Sequence, residues 1–104
     1  MTRLPVELHP EAGAEARDAR RWYAERDAAA AATFLSALDR AIHLISQAPD
    51  RWPAYLHGTR RVLMRRFPFC VIYPRLPDRV LVVAVAHERQ KPGYWQARSG
   101  ASRT

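Results

Sequence analysis

Residues 80–86 form an unbroken apolar run near the end of the chain, Val-Leu-Val-Val-Ala-Val-Ala. A strand with one face in water would alternate between apolar and polar side chains. A continuous run as short as this one is typical of a strand that is covered on both faces. The sequence therefore predicts a strand in the middle of a sheet.

The apolar run ends abruptly in nine residues, 87–95, that carry titratable, cationic and aromatic side chains. Two of them, Tyr94 and Trp95, follow a Pro-Gly bend. A rigid buried strand is a platform that can hold exposed side chains in place, as functional loops require. We therefore expect the functional surface of the chain in this segment.

The composition favours one domain with its own core and excludes several kinds of site. Cys70 is the only cysteine and lies in an apolar run, which excludes a disulfide framework and a cysteine-based metal site. The other histidines, His9, His43 and His57, lack the spacing of metal ligands, so we expect neither a metal nor another cofactor. No signal peptide or membrane-spanning run is evident, which favours a cytoplasmic protein without a membrane partner.

Charge is distributed unevenly along the 104 residues. Residues 1–50 contain six arginines and eight acidic residues, for a net charge of −2. Residues 51–104 contain eleven cationic and two acidic residues, for a net charge of +9. A half this basic repels itself unless it meets a polyanion or an acidic protein segment. Nucleic acid and an acidic peptide are therefore both candidate partners.

Hydrophobic periodicity and turn residues predict six elements in the order β-α-α-β-β-β. The predicted ranges are a strand at 4–8, a helix that begins at 9–11, a helix at about 28–47, and strands at 60–67, 69–73 and 80–86. Short connections join the last three strands into an antiparallel meander. The fold class is therefore α+β, with a helical hairpin on one face of a mainly antiparallel four-stranded sheet. The position of the first strand in that sheet stays open.

Single residues add local expectations to this outline. Pro5 places the first strand at an edge of the sheet, and Asp27 is expected to cap the second helix. Trp22 and Tyr23 are expected to face the core, as large aromatic residues usually do. Residues 1–98 are expected to form the single domain and residues 99–104 a flexible C-terminal tail.

An ordered set of motifs along residues 4–98 resembles that of ParE/RelE-type toxins. The motifs are His9-Pro10-Glu11-Ala12, Trp22-Tyr23, Phe34-Leu35, Ala41-Ile42, Trp52-Pro53, Arg60-Arg61, Arg65-Arg66-Phe67-Pro68-Phe69, Val71-Ile72-Tyr73, and Ala84-Val85-Ala86-His87 followed by Tyr94-Trp95. Each motif is weak alone, whereas the ordered set with matching gaps is specific. The resemblance implies a RelE/ParE-like fold and the toxin of a type II toxin–antitoxin, or plasmid-stabilisation, system. It also implies growth arrest that a small cognate antitoxin neutralises.

The resemblance implies one of two activities. ParE-like members poison DNA gyrase, whereas RelE-like members cut messenger RNA in the ribosomal A site. RelE-like members carry an arginine where this chain has Cys70, and a second one where it has Glu88, with Arg89 one residue later. A neutral thiol cannot stabilise the negative charge that develops on phosphate. The sequence therefore favours a ParE-like toxin that binds and poisons gyrase.

Two sets of residues are expected to form binding surfaces. The residues expected to bind the target are Arg89, Tyr94, Trp95 and Arg98. The residues expected to meet acidic side chains of the antitoxin, across the helical hairpin and the basic sheet edge, are Arg60, Arg61, Arg65 and Arg66. Because side chains alternate along a strand, each adjacent arginine pair is expected to split between the two faces of the sheet.

Several alternatives stay open. If the chain were a ribosome-dependent endoribonuclease, Tyr94, His87 and Arg89 would form its catalytic centre. His87 is also consistent with a strand end held by a backbone hydrogen bond. Residues 92–95 are consistent with an exposed recognition tip and equally with a lid over the core. A basic RNA- or ribosome-binding module without toxicity would also explain the charge.

Overall fold

The computed structural model describes residues 4–101 of the chain, with side chains up to residue 98. Its elements are β1 Val6–Leu8, α1 Pro10–Ala24, α2 Ala28–Gln47, a 3-10 turn Leu56–Gly58, β2 Arg60–Leu63, β3 Phe69–Tyr73, β4 Val80–Val82, β5 Ala84–His87 and α3 Gln96–Ala101. This architecture confirms the predicted α+β class, with two long helices packed on one face of the strands. The predicted last strand is divided in two, so five strands replace the expected four.

Both long helices begin where side chains can cap them. The His9 side chain accepts a hydrogen bond of 3.1 Å from the N–H of Glu11, and Pro10 occupies the first turn. Asp27 accepts a bond of 3.0 Å from the N–H of Ala29, which confirms the predicted cap of α2. The buried face of α1 consists of alanines, which leaves room for the larger apolar side chains of α2.

The strands form two paired groups that meet at the predicted last strand. β2, β3 and β5 make an antiparallel sheet in that order, and β1 pairs in parallel with β4. β4 and β5 are separated only by Val83, whose N–H donates to the carbonyl of Ile72 at 2.9 Å. The first strand therefore lies beside the last one, a position that the sequence left open. Among the described strands β1 pairs with β4 alone, which confirms the edge position predicted from Pro5.

A β-bulge lies at the junction of β4 and β5. Val82 and Val85 belong to the core beneath the helices, whereas the two residues between them, Val83 and Ala84, both face the opposite side. One residue is therefore inserted into the alternation of side chains. Before the bulge, β4 pairs with β1. After the bulge, the outer edge of β5 is covered by side chains rather than by another described strand.

Two apolar cores cover the two faces of the sheet. The helix-side core contains the buried faces of α1 and α2 together with Val62, Val71, Tyr73, Val80, Val82 and Val85. The outer core, on the opposite face, consists of Cys70, Ile72, Leu81, Val83, Ala84, Ala86 and Trp95. The continuous apolar run is thus buried on both sides, as predicted. The cover of the outer face comes from the C-terminal part of the chain.

Two local predictions are wrong. β2 ends at Leu63 instead of continuing to residue 67, because the chain turns at Arg66, whose φ is 69°. Trp22 is 50% exposed instead of buried, and the guanidinium of Arg26 lies 3.6 Å from the centre of its ring. Its neighbour Tyr23 is half-buried and packs against three phenylalanines, in agreement with the prediction.

The C-terminal end of the described chain is helical. α3 continues to Ala101 and so includes residues 99–101 of the predicted tail. The rest of that tail, residues 102–104, lies outside the described residues.

By length and composition, α2 is long and apolar enough to cross a membrane. A helix that buries one apolar face in a protein core passes the same test. The residues of α2 that are buried in the helix-side core are Ala31, Phe34, Leu38, Ala41 and Ile45. This burial is the role that the structure assigns to its apolar face.

Tyr73 ties the loop after α2 to the helix-side core. Its hydroxyl donates a hydrogen bond of 2.6 Å to the carbonyl of Pro49, and its side chain is fully buried. Burial raises the pKa of Tyr73 from 10.0 to about 12. Because the folded state prefers the neutral phenol, this preference stabilises the fold below pH 10.0 and is lost as the pH rises to about 12.

We expect Tyr73→Phe to lower the free energy of unfolding at neutral pH by about 1–3 kcal/mol, because a buried carbonyl loses its donor. The variant should also lose less stability than the parent between pH 10.0 and about 12. Urea unfolding at neutral and alkaline pH measures both effects. An equally steep alkaline decline in the two proteins would contradict the assignment.

Candidate functional site

Residues 88–98, the C-terminal segment, cross the outer face of the sheet after β5 ends. The N–H of Glu88 donates to the carbonyl of Pro68 at 2.8 Å, and the N–H of Gln90 donates to the carbonyl of His87 at 3.0 Å. These bonds fix the turn that leaves the strand. Gly93 has a φ of 84°, a left-handed conformation that glycine adopts without strain, and this bend returns the chain to the sheet.

Trp95 is the buried anchor of the C-terminal segment, with 1% of its surface exposed. Its ring lies in the outer core, 6.1 Å from the ring centre of Tyr55 and 5.7 Å from that of His57. Trp95, a residue expected to bind the target, is therefore buried rather than exposed. The helices pack on the other face, so the outer face needs an apolar cover, and the lid interpretation holds for this residue.

Glu15 of α1 joins the C-terminal segment to the open edge of β5. Its carboxylate accepts hydrogen bonds from the N–H of Val85 at 2.9 Å and from the hydroxyl of Tyr94 at 2.6 Å. It also forms an ion pair of 3.0 Å with Arg98, which donates to the carbonyl of Val83 at 3.0 Å. The Glu15 and Arg98 side chains are only 18% and 17% exposed. We call Glu15, Val85, Tyr94 and Arg98 the carboxylate clasp.

In the carboxylate clasp, the Tyr94 hydroxyl, which a ribonuclease mechanism would use, is hydrogen-bonded to Glu15. Burial raises the pKa of Tyr94 above its ordinary value, and the hydrogen bond to Glu15 raises it further. A tyrosine that acts as a general base must lose its proton near neutral pH, and the clasp disfavours that loss. His87 is also engaged, because its Nδ1 accepts a bond of 3.0 Å from the N–H of Arg89. The alternative of a backbone hydrogen bond at this strand end is confirmed.

Arg89 and Lys91 are the exposed cations of the C-terminal segment. Arg89 lines a groove of about 620 Å³ between α1 and β5, whose apolar wall includes Trp22. Lys91 lines a cavity of about 310 Å³ on the outer face, together with Arg61. Within residues 4–98 neither Arg89 nor Lys91 forms an ion pair. Of the four predicted target-binding residues only Arg89 is exposed, because Tyr94 and Arg98 are half-buried in the carboxylate clasp and Trp95 is buried. We call the two exposed cations, Arg89 and Lys91, the cationic rim.

The four arginines predicted to bind an antitoxin lie in two settings. Arg60 donates to the carbonyl of Trp52 at 2.6 Å, whereas the Arg61 guanidinium lies 4.2 Å from the ring centre of Tyr55. Arg60 lies opposite Tyr73 of the helix-side core, and Arg61 lies opposite Ile72 of the outer core. The two arginines therefore point to opposite faces of the sheet, as predicted. Residues 65–66 form the turn after β2 and are exposed, so the alternation of a strand does not apply to them.

Sequence reasoning missed Glu15 and the exposure of Leu63. A signal for Glu15 exists, because it lies three residues after Ala12 and four before Ala19, on the buried face of α1. A carboxylate on such a face requires donors. Leu63 is 67% exposed, and no periodicity indicates this, because its exposure depends on where β2 turns.

A family model and a solved structure are similar to this chain. A family model described as the ParE toxin of type II toxin–antitoxin systems, parDE, matches residues 6–92. A solved structure described as a chromosomal ParDE TA system from P. aeruginosa is similar to this chain, with a TM-score of 0.72. The two are 12% identical over 81% of this chain and 95% of that one, so this likeness concerns the fold alone. A sequence comparison with curated proteins finds no match.

We expect Trp95→Ala to lower the free energy of unfolding by about 3–5 kcal/mol, because it leaves a cavity in the outer core. Trp22→Ala is the matched control, since half of that ring is exposed and its loss should cost about 1 kcal/mol or less. Chemical denaturation of both variants measures the difference. Similar small losses in the two would show that the C-terminal segment is not part of the core.

A second prediction concerns the carboxylate clasp. We expect Glu15→Gln to lower the free energy of unfolding by about 1–3 kcal/mol, because an amide cannot accept from all three donors. In a double-mutant cycle, Glu15→Gln and Tyr94→Phe should couple by about 0.5 kcal/mol or more. Asp39→Asn removes an exposed carboxylate from α2 and should change stability little. Additive effects of the two clasp substitutions would contradict the clasp.

Proposed function

Since the chain belongs to the ParE toxin family of type II toxin–antitoxin systems, we propose that it arrests growth by binding DNA gyrase. In this proposal a cognate antitoxin with an acidic segment neutralises the toxin. Both partners act in the cytoplasm. The family match spans residues 6–92 and so includes every strand and both long helices.

The observation that carries the choice of binding over cleavage is the carboxylate clasp. Tyr94 is the phenol that a RelE-like ribonuclease would use, and here it donates to Glu15 with a raised pKa. Burial raises the pKa of the Cys70 thiol, so a neutral group lies where cleavage would require a cation. The engaged Tyr94 hydroxyl and the neutral Cys70 thiol both support a toxin that acts by binding rather than by cleavage.

The surface available for binding is the cationic rim of Arg89 and Lys91. Arg89 borders the groove of about 620 Å³, which offers an apolar wall beside the positive charge. Exposed arginine next to apolar and aromatic side chains is a common arrangement at protein interfaces. A target enzyme that is bound to DNA lies beside the negative charge of the DNA phosphates. Positive charge at the rim would therefore also speed association of the toxin with that enzyme.

The proposal is tested with purified protein in a gyrase supercoiling reaction and, separately, in a translating extract. We expect supercoiling to be inhibited and translated messenger RNA to remain uncut. Sequence-defined cuts in translated message, with supercoiling unaffected, would overturn the proposal in favour of a RelE-like endoribonuclease. Absence of growth arrest on induction would instead favour a basic RNA- or ribosome-binding module.

The double substitution Arg89→Ala, Lys91→Ala should raise the concentration required for inhibition about tenfold or more, because arginine is enriched among the few interface residues whose truncation costs about 2 kcal/mol or more. Trp95 is left intact, since its removal would destabilise the outer core. Arg17→Ala, Arg20→Ala removes the same charge from the exposed face of α1 and is the matched control. Equal loss of inhibition in both double variants would mean that net charge, not the rim, determines binding.

A further inference from the structure

Part of the outer edge of β2 has no backbone partner within residues 4–101. The N–H of Met64 donates to the carbonyl of Phe69 at 2.9 Å, so by antiparallel alternation the N–H and C=O of Leu63 point away from β3. The N–H of Arg61 points the same way, and it already donates to the carbonyl of Pro53 at 3.2 Å. The free edge of β2 is therefore the short stretch that follows Arg61.

The exposed edge at Leu63 contrasts with the other strand edge that lacks a neighbouring strand. Glu15 caps the N–H of Val85 in β5, and Arg98 caps the carbonyl of Val83 just before that strand. On β2 no described side chain performs this role, and Leu63 is 67% exposed, more than any other large apolar side chain that the structure describes. An exposed apolar strand edge pairs readily with another chain.

Positive charge surrounds the free edge of β2 on both sides. Arg40 of α2 and Arg65 line a shallow groove between α2 and β2, whose other lining residues are apolar. Arg61 lies on the outer face, and Arg66 is exposed in the turn that ends the strand. Within residues 4–98 none of these four arginines forms an ion pair. An extended segment at this edge would therefore be favoured if it were acidic.

We propose that an acidic segment of the antitoxin adds as a β-strand to the free edge of β2 at Leu63. Backbone hydrogen bonds to the N–H and C=O of Leu63 would hold the segment, as in other strand-addition complexes. Its alternate side chains would face the groove with Arg40 and Arg65 on one side and Arg61 on the other. The pairing is short, because the loop at Pro53 blocks one end and the turn after Leu63 closes the other. The inference rests on the proposed function, since it requires an antitoxin.

The direct test is amide hydrogen exchange of the full chain, alone and with the polypeptide encoded by the open reading frame next to its gene. In the free chain the Leu63 amide should exchange fast and the Met64 amide slowly, because only Met64 is bonded to β3. In the complex we expect the Leu63 amide to slow about tenfold or more, with Met64 nearly unchanged. A Leu63 amide that exchanges as fast in the complex as in the free chain would overturn the strand addition.

A variant pair isolates the backbone contribution. Leu63→Pro removes an N–H that the sheet does not use, whereas Leu63→Ala removes most of the side chain and keeps that N–H. We expect Leu63→Pro to weaken binding of the polypeptide about tenfold or more, and Leu63→Ala to have a smaller effect. Equal affinities for the two variants would contradict pairing through the backbone.

If Leu63→Pro does not fold, charge reversal provides the second measurement. Arg40→Glu, Arg65→Glu should weaken binding at least about tenfold and reduce its dependence on salt. The matched control is Arg17→Glu, Arg20→Glu on α1, which packs over β5 rather than β2. Equal effects of the two reversals would overturn the assignment of the acidic segment to this edge.

The outcomes separate this inference from the proposed function. A polypeptide that neither binds the chain nor relieves growth arrest would count against the antitoxin itself. One that binds and relieves arrest, with Leu63 unprotected and the edge variants unaffected, would overturn the strand addition alone. Protection of Leu63 in the free chain that rises with protein concentration would assign the edge to a second copy of the chain, and would also overturn the proposal.

Discussion

The need to cover the outer face of the sheet determines where the exposed cations of the C-terminal segment lie. The helical hairpin covers one face only, and the strand of residues 80–86 is apolar on both. Trp95 supplies the missing cover, and it brings the C-terminal segment with it across the sheet. Arg89 and Lys91 lie between the strand and this anchor, so they sit on a stretch that is fixed at both ends. The packing of Trp95 therefore holds the cationic rim in place, although Arg89 and Lys91 are themselves exposed.

The carboxylate clasp covers the outer edge of β5, which has no neighbouring strand among those described. A buried ion pair offers little net stability unless further hydrogen bonds complete it. Here the Glu15 carboxylate meets three donors, and Arg98 also satisfies a carbonyl of the same strand. The clasp therefore stabilises one position of the C-terminal segment. The same contacts engage the Tyr94 hydroxyl and raise its pKa, so the packing of the C-terminal segment also disfavours loss of that proton.

The sequence predicted those features that depend on neighbouring residues. Asp27 marks the start of α2, and the apolar run at 80–86 predicts burial on both faces, both of which the structure confirms. Features that depend on distant contacts were not predictable. The run shows that a cover is required but not that Trp95 provides it, and the end of β2 depends on the conformation of Arg66. The gyrase target and the antitoxin stay predictions.

The bulge at Val83 and Ala84 has a consequence for how this strand tolerates insertions and deletions. The bulge holds one residue more than a regular strand would, so loss of either Val83 or Ala84 leaves Val85 on the helix side and Ala86 in the outer core. Loss of one residue elsewhere in the strand would instead exchange the faces of the residues beyond it. A relative whose strand is one residue shorter is therefore expected to lack the bulge and to alternate regularly along the whole strand.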